Sequence, residues 1–210
     1  MLKVEKKEER AQYNKKDTYT YEEVRPLIEA AMEDRARYLG FFYKVMPRDL
    51  FDKYAKKALY AYGEYKALGM GAGKGHEGDP QGLADFLVSC NSVANTLAVG
   101  NRVVEKTDEY TTVRMEGKCA LVQGWEKMGL SPEEVEYLCD IASYGDYGHA
   151  NALDLQGTWL CTSAQKGCDY CDFKIAKLYG IIKKRPSGEK NGASKHKKDY
   201  NIRFEKRNKS

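Results

Sequence analysis

A chain of 210 residues has the length of one domain, with room for a flanking element. Apolar residues make up 42% of it, enough for a hydrophobic core, and no stretch approaches the roughly 18 consecutive apolar residues that a membrane-spanning helix needs. The formal net charge of +4 is uneven, because residues 183–210 carry eleven Lys and Arg against three Asp and Glu, a charge of +8 that leaves −4 for the rest. Nucleic-acid binding would therefore depend on this basic tail alone.

Both ends of the chain are polar and differ from the middle. Residues 1–17 lack the apolar core of a signal peptide, and residues 181–210 form the basic tail, so we expect both to be disordered. A single α+β domain is expected over residues 18–180, with a helical hairpin at 18–68 and a sheet plus helices at 81–180. With no targeting segment the protein is expected to be cytoplasmic, where thiols stay reduced. The six cysteines then predict packing, catalysis or metal binding rather than disulfides.

The first two predicted elements are helices. Thr20 and Glu23 match a capping box, which starts a helix that runs to about Val45. Pro47 suits the first turn of a second helix over about 47–68, in which apolar residues recur every three or four positions. We expect these two helices to form an antiparallel pair.

The predicted elements after the helix pair alternate between helices and strand hairpins. In chain order they are a glycine-rich loop over 69–80, a short helix over 81–91, a hairpin of strands over 101–105 and 110–115, helices over 120–128 and 131–143, and a hairpin of strands over 153–162 and 170–177. This order favours the α+β class, with an antiparallel sheet of hairpins and helices packed on one face. The loop is not a P-loop, because Leu68 stands where such a loop needs Gly and Gly75 where it needs Ser or Thr.

The side chains best suited to chemistry are concentrated near the C-terminal end of the domain. Five of the six cysteines lie there: Cys119, Cys139, Cys161, Cys168 and Cys171. Cys119 begins a predicted helix, a position that lowers the pKa of a thiol. Gly145 is expected to end the helix that carries Cys139, which places Asp146 and His149 on a loop beyond it. A cysteine, a histidine and an acid this close can form a nucleophile, a base and an orienting group, or an incomplete metal site.

Cys168 and Cys171 form a CxxC motif at the start of a predicted strand. A structural zinc site usually needs a second such pair, and a redox CxxC usually begins a helix. The motif therefore favours neither role, and the sequence assigns no cofactor. Packing in the core is the ordinary role of any single cysteine.

Four short segments make a recognisable set with the N-terminal helices. They are 117–122 (Gly-Lys-Cys-Ala-Leu-Val), 128–132 (Met-Gly-Leu-Ser-Pro), 137–140 (Tyr-Leu-Cys-Asp) and 167–173 (Gly-Cys-Asp-Tyr-Cys-Asp-Phe). With Arg35 in the first helix and Tyr62-Gly63 in the second, they resemble the L-2-amino-thiazoline-4-carboxylic acid hydrolase family over about residues 20–178. The last segment also resembles 4-vinyl-reductase-like ligand-binding domains, an α+β group of sensors and adaptors.

The first resemblance implies hydrolytic opening of a cyclic isothiourea to an N-carbamoyl cysteine. Such a reaction needs an attacking thiol or water, a base, an acid for the departing sulfur or nitrogen, and a cation for the substrate carboxylate. We hypothesise the following roles: Cys139 or Cys171 as nucleophile or metal ligand, Asp140 or Asp172 as base, His149 as acid–base partner, Arg102 or Arg114 as carboxylate anchor, and Cys119 and Asp146 as further substrate contacts.

The sequence is also compatible with two other functions. A non-catalytic small-molecule sensor or carrier could use the same pocket, and Ala120, which replaces the proline usual in the hydrolase family, favours it. A nucleic-acid adaptor is disfavoured because only the tail supports it. We expect a small-molecule substrate or ligand as partner, and the many tyrosines of the first two helices could also serve a homo-oligomer.

Overall fold

The computed structural model describes residues 20–89 and 100–178. In chain order its helices and strands are α1 (Tyr21–Val45), α2 (Arg48–Leu68), α3 (Pro80–Ser89), β1 (Asn101–Lys106), β2 (Tyr110–Glu116), α4 (Ala120–Lys127), α5 (Pro132–Ala152), β3 (Leu155–Cys161) and β4 (Tyr170–Lys177). The two ends predicted to be disordered, and the end of the predicted helix over 81–91, lie outside the described residues. No helix of the described part is long and apolar enough to cross a membrane.

The four strands form one antiparallel sheet in the order β1-β2-β4-β3. Each half of the sheet is one of the two predicted hairpins, and β2 and β4 join them at the centre. The fold class is therefore confirmed, with helices first and an antiparallel sheet with packed helices after them. The predicted capping box of Thr20 with Glu23 is present, and Ser131 with Glu134 forms a second one at the start of α5. Each pair satisfies free amides at a helix start.

The two faces of the sheet carry different residues. Val113 pairs with Phe173 across β2 and β4, and the next pair along the strands is Arg114 with Asp172. Because side chains alternate between faces, Val113 and Phe173 pack against Leu83 of α3 in a buried core, while Arg114 and Asp172 lie on the opposite face. Because of this alternation, predicted site residues on opposite faces of the sheet cannot meet in one site.

A second core lies between the helices. Trp125 of α4 is fully buried with Phe51 and Leu138, and its indole nitrogen donates a hydrogen bond to the backbone oxygen of Ala36 at 2.7 Å. Helix α1 packs mainly on α4 and helix α2 mainly on α5, whereas α1 and α2 contact each other at only a few points. A gap therefore stays open between α1 and α2.

Helix α5 is longer than the sequence predicted. It was expected to end near Ser143, with Gly145 beyond it, but it continues to Ala152. The glycines serve close packing instead, because a Cβ on Gly63 would collide with the backbone oxygen of Gly145, and one on Gly148 with that of Tyr60. The predicted loop is thus wrong, and Asp146 and His149 are helical residues.

The prediction that all cysteines stay reduced is also wrong. Cys161 and Cys168 form a disulfide across the turn between β3 and β4. The hairpin brings their Cα atoms to 6.3 Å, within the range that a disulfide spans. Within the described residues, Cys119, Cys139 and Cys171 remain free thiols.

Candidate functional site

A cavity of about 680 Å³ occupies the gap between α1 and α2. Helices α4 and α5 form its floor, and strand residues close the end that faces the sheet. Its volume lies within the range of roughly 300–1,000 Å³ typical of small-molecule pockets. The wall is mostly apolar, with Met32, Leu39, Phe42, Tyr54, Leu59 and Trp125 among its residues. Few of the lining residues are polar, and these include thiols, a carboxyl group and two cations.

The three free thiols and one carboxyl line the same cavity. Cys119 precedes α4, Cys139 and Asp146 lie on α5, and Cys171 lies on β4. Cys139 and Asp146 are seven residues apart, which is two helical turns, so they share one face of α5. These four groups come from three separate parts of the chain and lie close enough for their charges to interact, so four of the nine predicted site residues are brought together.

Burial keeps two of these thiols protonated. It raises the pKa of Cys139 to about 12, although the Thr162 hydroxyl favours the thiolate. Burial likewise raises the pKa of Cys119 more than the backbone amides of Val122 and Leu121 lower it. The lowered pKa predicted for Cys119 from its place at a helix start is therefore wrong, because desolvation outweighs the helix-terminal amides.

Cys171 is held in a defined orientation by a neighbouring serine. Its sulfur accepts a hydrogen bond from the backbone N–H of Ser163 at 3.1 Å and donates one to the Ser163 hydroxyl at 3.4 Å. The thiol is only 7% exposed. A thiol that is buried and bonded in this way is fixed relative to the cavity.

Asp146 is the carboxyl at the polar end of the cavity. Burial raises its pKa, and the nearby Lys66 and Arg35 oppose that shift without cancelling it. The indole N–H of Trp159 also lies near this carboxyl and lowers its pKa slightly, yet that N–H has no hydrogen-bond partner within the described part of the chain. The Asp146 carboxyl therefore holds its proton to a higher pH than an ordinary aspartate does.

His149 lies one turn beyond Asp146 but has a different partner. Its Nε2 is 2.9 Å from the backbone oxygen of Ala72 in the glycine-rich loop, and the side chain is almost fully buried. Burial lowers the pKa of the imidazole, and the charge of Lys66 lowers it further. His149 borders a smaller adjoining space of about 50 Å³ together with Asp146 and Lys66. It anchors the loop beside the site and does not line the main cavity.

The other four predicted site residues lie elsewhere. Asp140 is exposed and forms an ion pair with Lys56 at 3.2 Å. Arg114 donates two hydrogen bonds to Asp172, at 2.8 and 2.7 Å, on the sheet face away from the helices. Arg102 pairs with a glutamate of β2, its Nε 2.6 Å from the carboxylate of Glu116. Their predicted roles as base and carboxylate anchor have no support in this placement.

Some lining residues with polar groups near Asp146 were not predicted as site residues. Arg35, Lys66 and Trp159 reach the cavity from α1, α2 and β3. Two of them are ordinary polar positions of amphipathic helices, so only the packing of the helices identifies them. As for metals, no group of three or more His, Cys, Asp or Glu side chains in residues 20–89 and 100–178 is placed to hold an ion.

Fold and cavity together define an α+β domain with a large internal cavity that carries thiols and charges at one end. The model of the L-2-amino-thiazoline-4-carboxylic acid hydrolase family matches residues 19–175, and the chain belongs to that family. No curated protein matches the sequence. A solved structure, a trafficking protein particle complex subunit 3 from Naegleria fowleri covalently bound to palmitic acid, aligns with a TM-score of 0.47 and 14% identity over 70% of this chain and 95% of that chain.

Proposed function

We propose that this protein is a hydrolase that opens small cyclic isothioureas such as 2-amino-thiazoline-4-carboxylate. Membership of the hydrolase family supports the reaction class. The observation that carries the proposal to a site is the meeting of Cys119, Cys139, Cys171 and Asp146 at one end of a cavity. This set offers thiols and a carboxyl with a raised pKa, which are the groups that acid–base and nucleophilic catalysis use.

The proposed reaction adds water across one carbon–sulfur bond. A nucleophile attacks the ring carbon between nitrogen and sulfur, the bond from that carbon to sulfur breaks, and the sulfur leaves with a proton as the free thiol of an N-carbamoyl cysteine. Asp146 takes one proton of the nucleophile and returns it to the sulfur, and the other proton of the added water moves to the ring nitrogen as the carbon becomes the carbamoyl carbonyl. Its raised pKa suits this exchange, since a carboxylate with a raised pKa is a stronger base than an ordinary aspartate.

Two routes use the same carboxyl and differ in the nucleophile. In the first, Asp146 activates water directly. In the second, Cys139 gives its proton to Asp146 and adds to the ring carbon, and water later releases the product from the thiol. Because the pKa of Cys139 is about 12, the second route needs Asp146 for deprotonation. Cys171 is the alternative thiol, already oriented by Ser163.

Turnover of 2-amino-thiazoline-4-carboxylate, followed by chromatography of the N-carbamoyl cysteine product, tests the proposal. We expect Asp146→Asn to lower kcat by at least about 100-fold. Asp140→Asn is the matched control, since Asp140 lies on the same helix but is exposed and paired with Lys56, and it should stay within about twofold. Loss of turnover in Cys139→Ala or Cys171→Ala selects the thiol route, whereas turnover in both selects water. Full activity of Asp146→Asn would overturn the assignment.

A second function is favoured by the size of the cavity. A single five-membered ring with two small substituents fills only a small part of 680 Å³, and the remaining wall is apolar. The same cavity could thus serve a binding protein that senses or carries a larger molecule. Tight binding without turnover in the wild type would establish this function instead of hydrolysis.

A further inference from the structure

We infer that the cavity takes organic anions with a large apolar body, the anionic group held by Arg35 and Lys66 and the body lying between α1 and α2. The inference rests on the proposed function in that it names the substrate class of the same site. It extends that function, because the compound that names the family is a small ring without such a body.

Two cations line the cavity wall. Of the nine Lys and Arg residues on α1 and α2, four form ion pairs with described residues, namely Arg25, Arg37, Arg48 and Lys56. Lys44, Lys53 and Lys57 form no such pair and do not line the cavity. Arg35 and Lys66 line the cavity, and neither forms an ion pair with another described residue. The carboxyl that faces them is Asp146, which holds its proton more firmly than usual. Arg35 is exposed and Lys66 is half-buried, so both side chains can donate charge-assisted hydrogen bonds to an anion that enters the cavity.

Several aromatic residues at the cavity wall are exposed to water. Tyr38, Phe42, Tyr54 and Tyr62 line the cavity and are also exposed, by 67%, 54%, 51% and 45%. Exposed apolar surface that lines a concave wall gains most when an apolar molecule covers it. A charged ring alone would leave this surface in water, so the ligand that fits the wall has an apolar part of its own.

The two ends of the cavity differ in their residues, and this difference sets the orientation of the ligand. Lys66 and Asp146 lie with Trp159 of β3 at the end of the cavity that faces the sheet, whereas Phe51 and Met46 line the end away from it. An anionic group beside Lys66 and Arg35 therefore lies next to the thiols and Asp146. The apolar body then extends along α1 and α2 away from the sheet. Under the proposed hydrolysis, the reacting ring lies between the two.

Stable ring carboxylates test this inference by binding alone, without any reaction. The probes are N-acetyl-L-proline, N-octanoyl-L-proline and the methyl ester of N-octanoyl-L-proline, titrated by calorimetry into the full chain. We expect N-octanoyl-L-proline to bind at least about tenfold more tightly than either other probe. If the octanoyl and acetyl compounds bind equally, the claim that the ligand has an apolar body is wrong. If the acid and the ester bind equally, the claim that the ligand has an anionic group is wrong.

Paired variants locate the two contacts. The double variant Arg35→Gln with Lys66→Gln should lose the preference for acid over ester, while Arg25→Gln on the same helix, paired with Glu29 away from the cavity, should keep it. Phe42→Ser should lose the preference for octanoyl over acetyl. Phe41→Ser is its control, because Phe41 is equally exposed at 59% but does not line the cavity. These side chains lie at the surface, so the variants are expected to fold.

The outcomes separate this inference from the proposed reaction. If N-octanoyl-L-proline binds most tightly but 2-amino-thiazoline-4-carboxylate is not turned over, the proposed ligand class is retained and the proposed hydrolase activity is rejected. Turnover that needs Asp146, with no preference among the probes, would keep the hydrolase and reject the ligand class. If no probe binds and Phe42→Ser dissociates a dimer in sedimentation analysis, the apolar surface joins two copies of the chain and the inference is wrong.

Discussion

Two groupings of arginine and aspartate lie in different parts of this molecule. On the outer face of the sheet, Arg114 and Asp172 share two hydrogen bonds, and the bonded carboxylate raises the pKa of the guanidinium. In the cavity, Asp146 faces Arg35 and Lys66 without an ion pair to either. The first grouping is complete within the fold. In the second, Asp146 has a pKa raised by burial and none of the three groups forms an ion pair with another described residue, and a shifted pKa in a cleft is a common feature of functional sites.

The largest expected difference between the two groupings is in turnover. Asp172→Asn should leave kcat for 2-amino-thiazoline-4-carboxylate within about threefold, whereas Asp146→Asn should lower it by at least about 100-fold. The reason is that only Asp146 lines the cavity. Both measurements use the same purified full chain and product assay. A loss in Asp172→Asn as large as that in Asp146→Asn would show that the outer face takes part in catalysis, and the comparison would fail.

The same two variants should change stability in opposite directions. The pKa of Asp146 is raised in the folded state, so its charge opposes folding: the contribution is favourable at low pH and is lost as the pH rises through the folded-state pKa. Asp146→Asn removes that cost and should raise Tm at pH 7.5, by about 2–4 °C for each 1 kcal/mol gained. Asp172→Asn breaks a paired and hydrogen-bonded carboxylate, so it should lower Tm, by less than about 3 °C because the pair is partly in water.

Thermal unfolding at pH 7.5 and pH 4.5 checks these signs. The advantage of Asp146→Asn over the wild type should shrink at the lower pH, since the wild-type carboxyl is then more protonated. Arg114→Gln serves as a further control for the outer pair and should resemble Asp172→Asn. If Asp146→Asn lowers Tm at pH 7.5, Asp146 is satisfied in the fold and the contrast between the two groupings disappears.

The fold could be predicted from local signals. Two capping boxes, two hairpins and a helical period of three to four residues are short-range features, and each matches an observed element. The end of α5 could not be predicted in this way. Glycine often ends a helix, but Gly145 and Gly148 lie where α5 packs closely on α2. The choice between a glycine as helix stop and a glycine as contact depends on α2, a partner more than 80 residues away in the sequence.

The candidate site was only partly accessible from the sequence. The residues Cys139 and Cys171 were predicted, yet the adjacent Asp140 and Asp172 point elsewhere. Strand alternation could have separated Cys171 from Asp172, since neighbours on β4 face opposite sides of the sheet. No such rule identifies Arg35 and Lys66, because their place at the cavity depends on the gap between two helices. The direction in which each side chain points therefore identifies site residues better than their proximity in the sequence does.

The smallest expected effect concerns pH and the residue beside the cavity. The folded-state pKa of His149 lies below the ordinary value of 6.5 because the imidazole is buried. The unfolded chain therefore binds a proton at a higher pH than the folded chain. Stability from this group is fully present above about pH 6.5 and is lost as the pH falls towards the folded-state pKa, by at most about 1.4 kcal/mol per pH unit.

His149→Gln isolates this contribution from that of Asp146. Glutamine does not titrate, and its amide N–H can still donate to the backbone oxygen of Ala72 that His149 contacts. In denaturant unfolding at pH 7.5, 6.5 and 5.5, the wild type should lose stability relative to the variant as the pH falls. Asp146 is present in both proteins, so its opposite response cancels in the difference. A difference that stays constant from pH 7.5 to 5.5 would mean that burial does not lower the pKa of His149 in the folded state, contrary to this prediction.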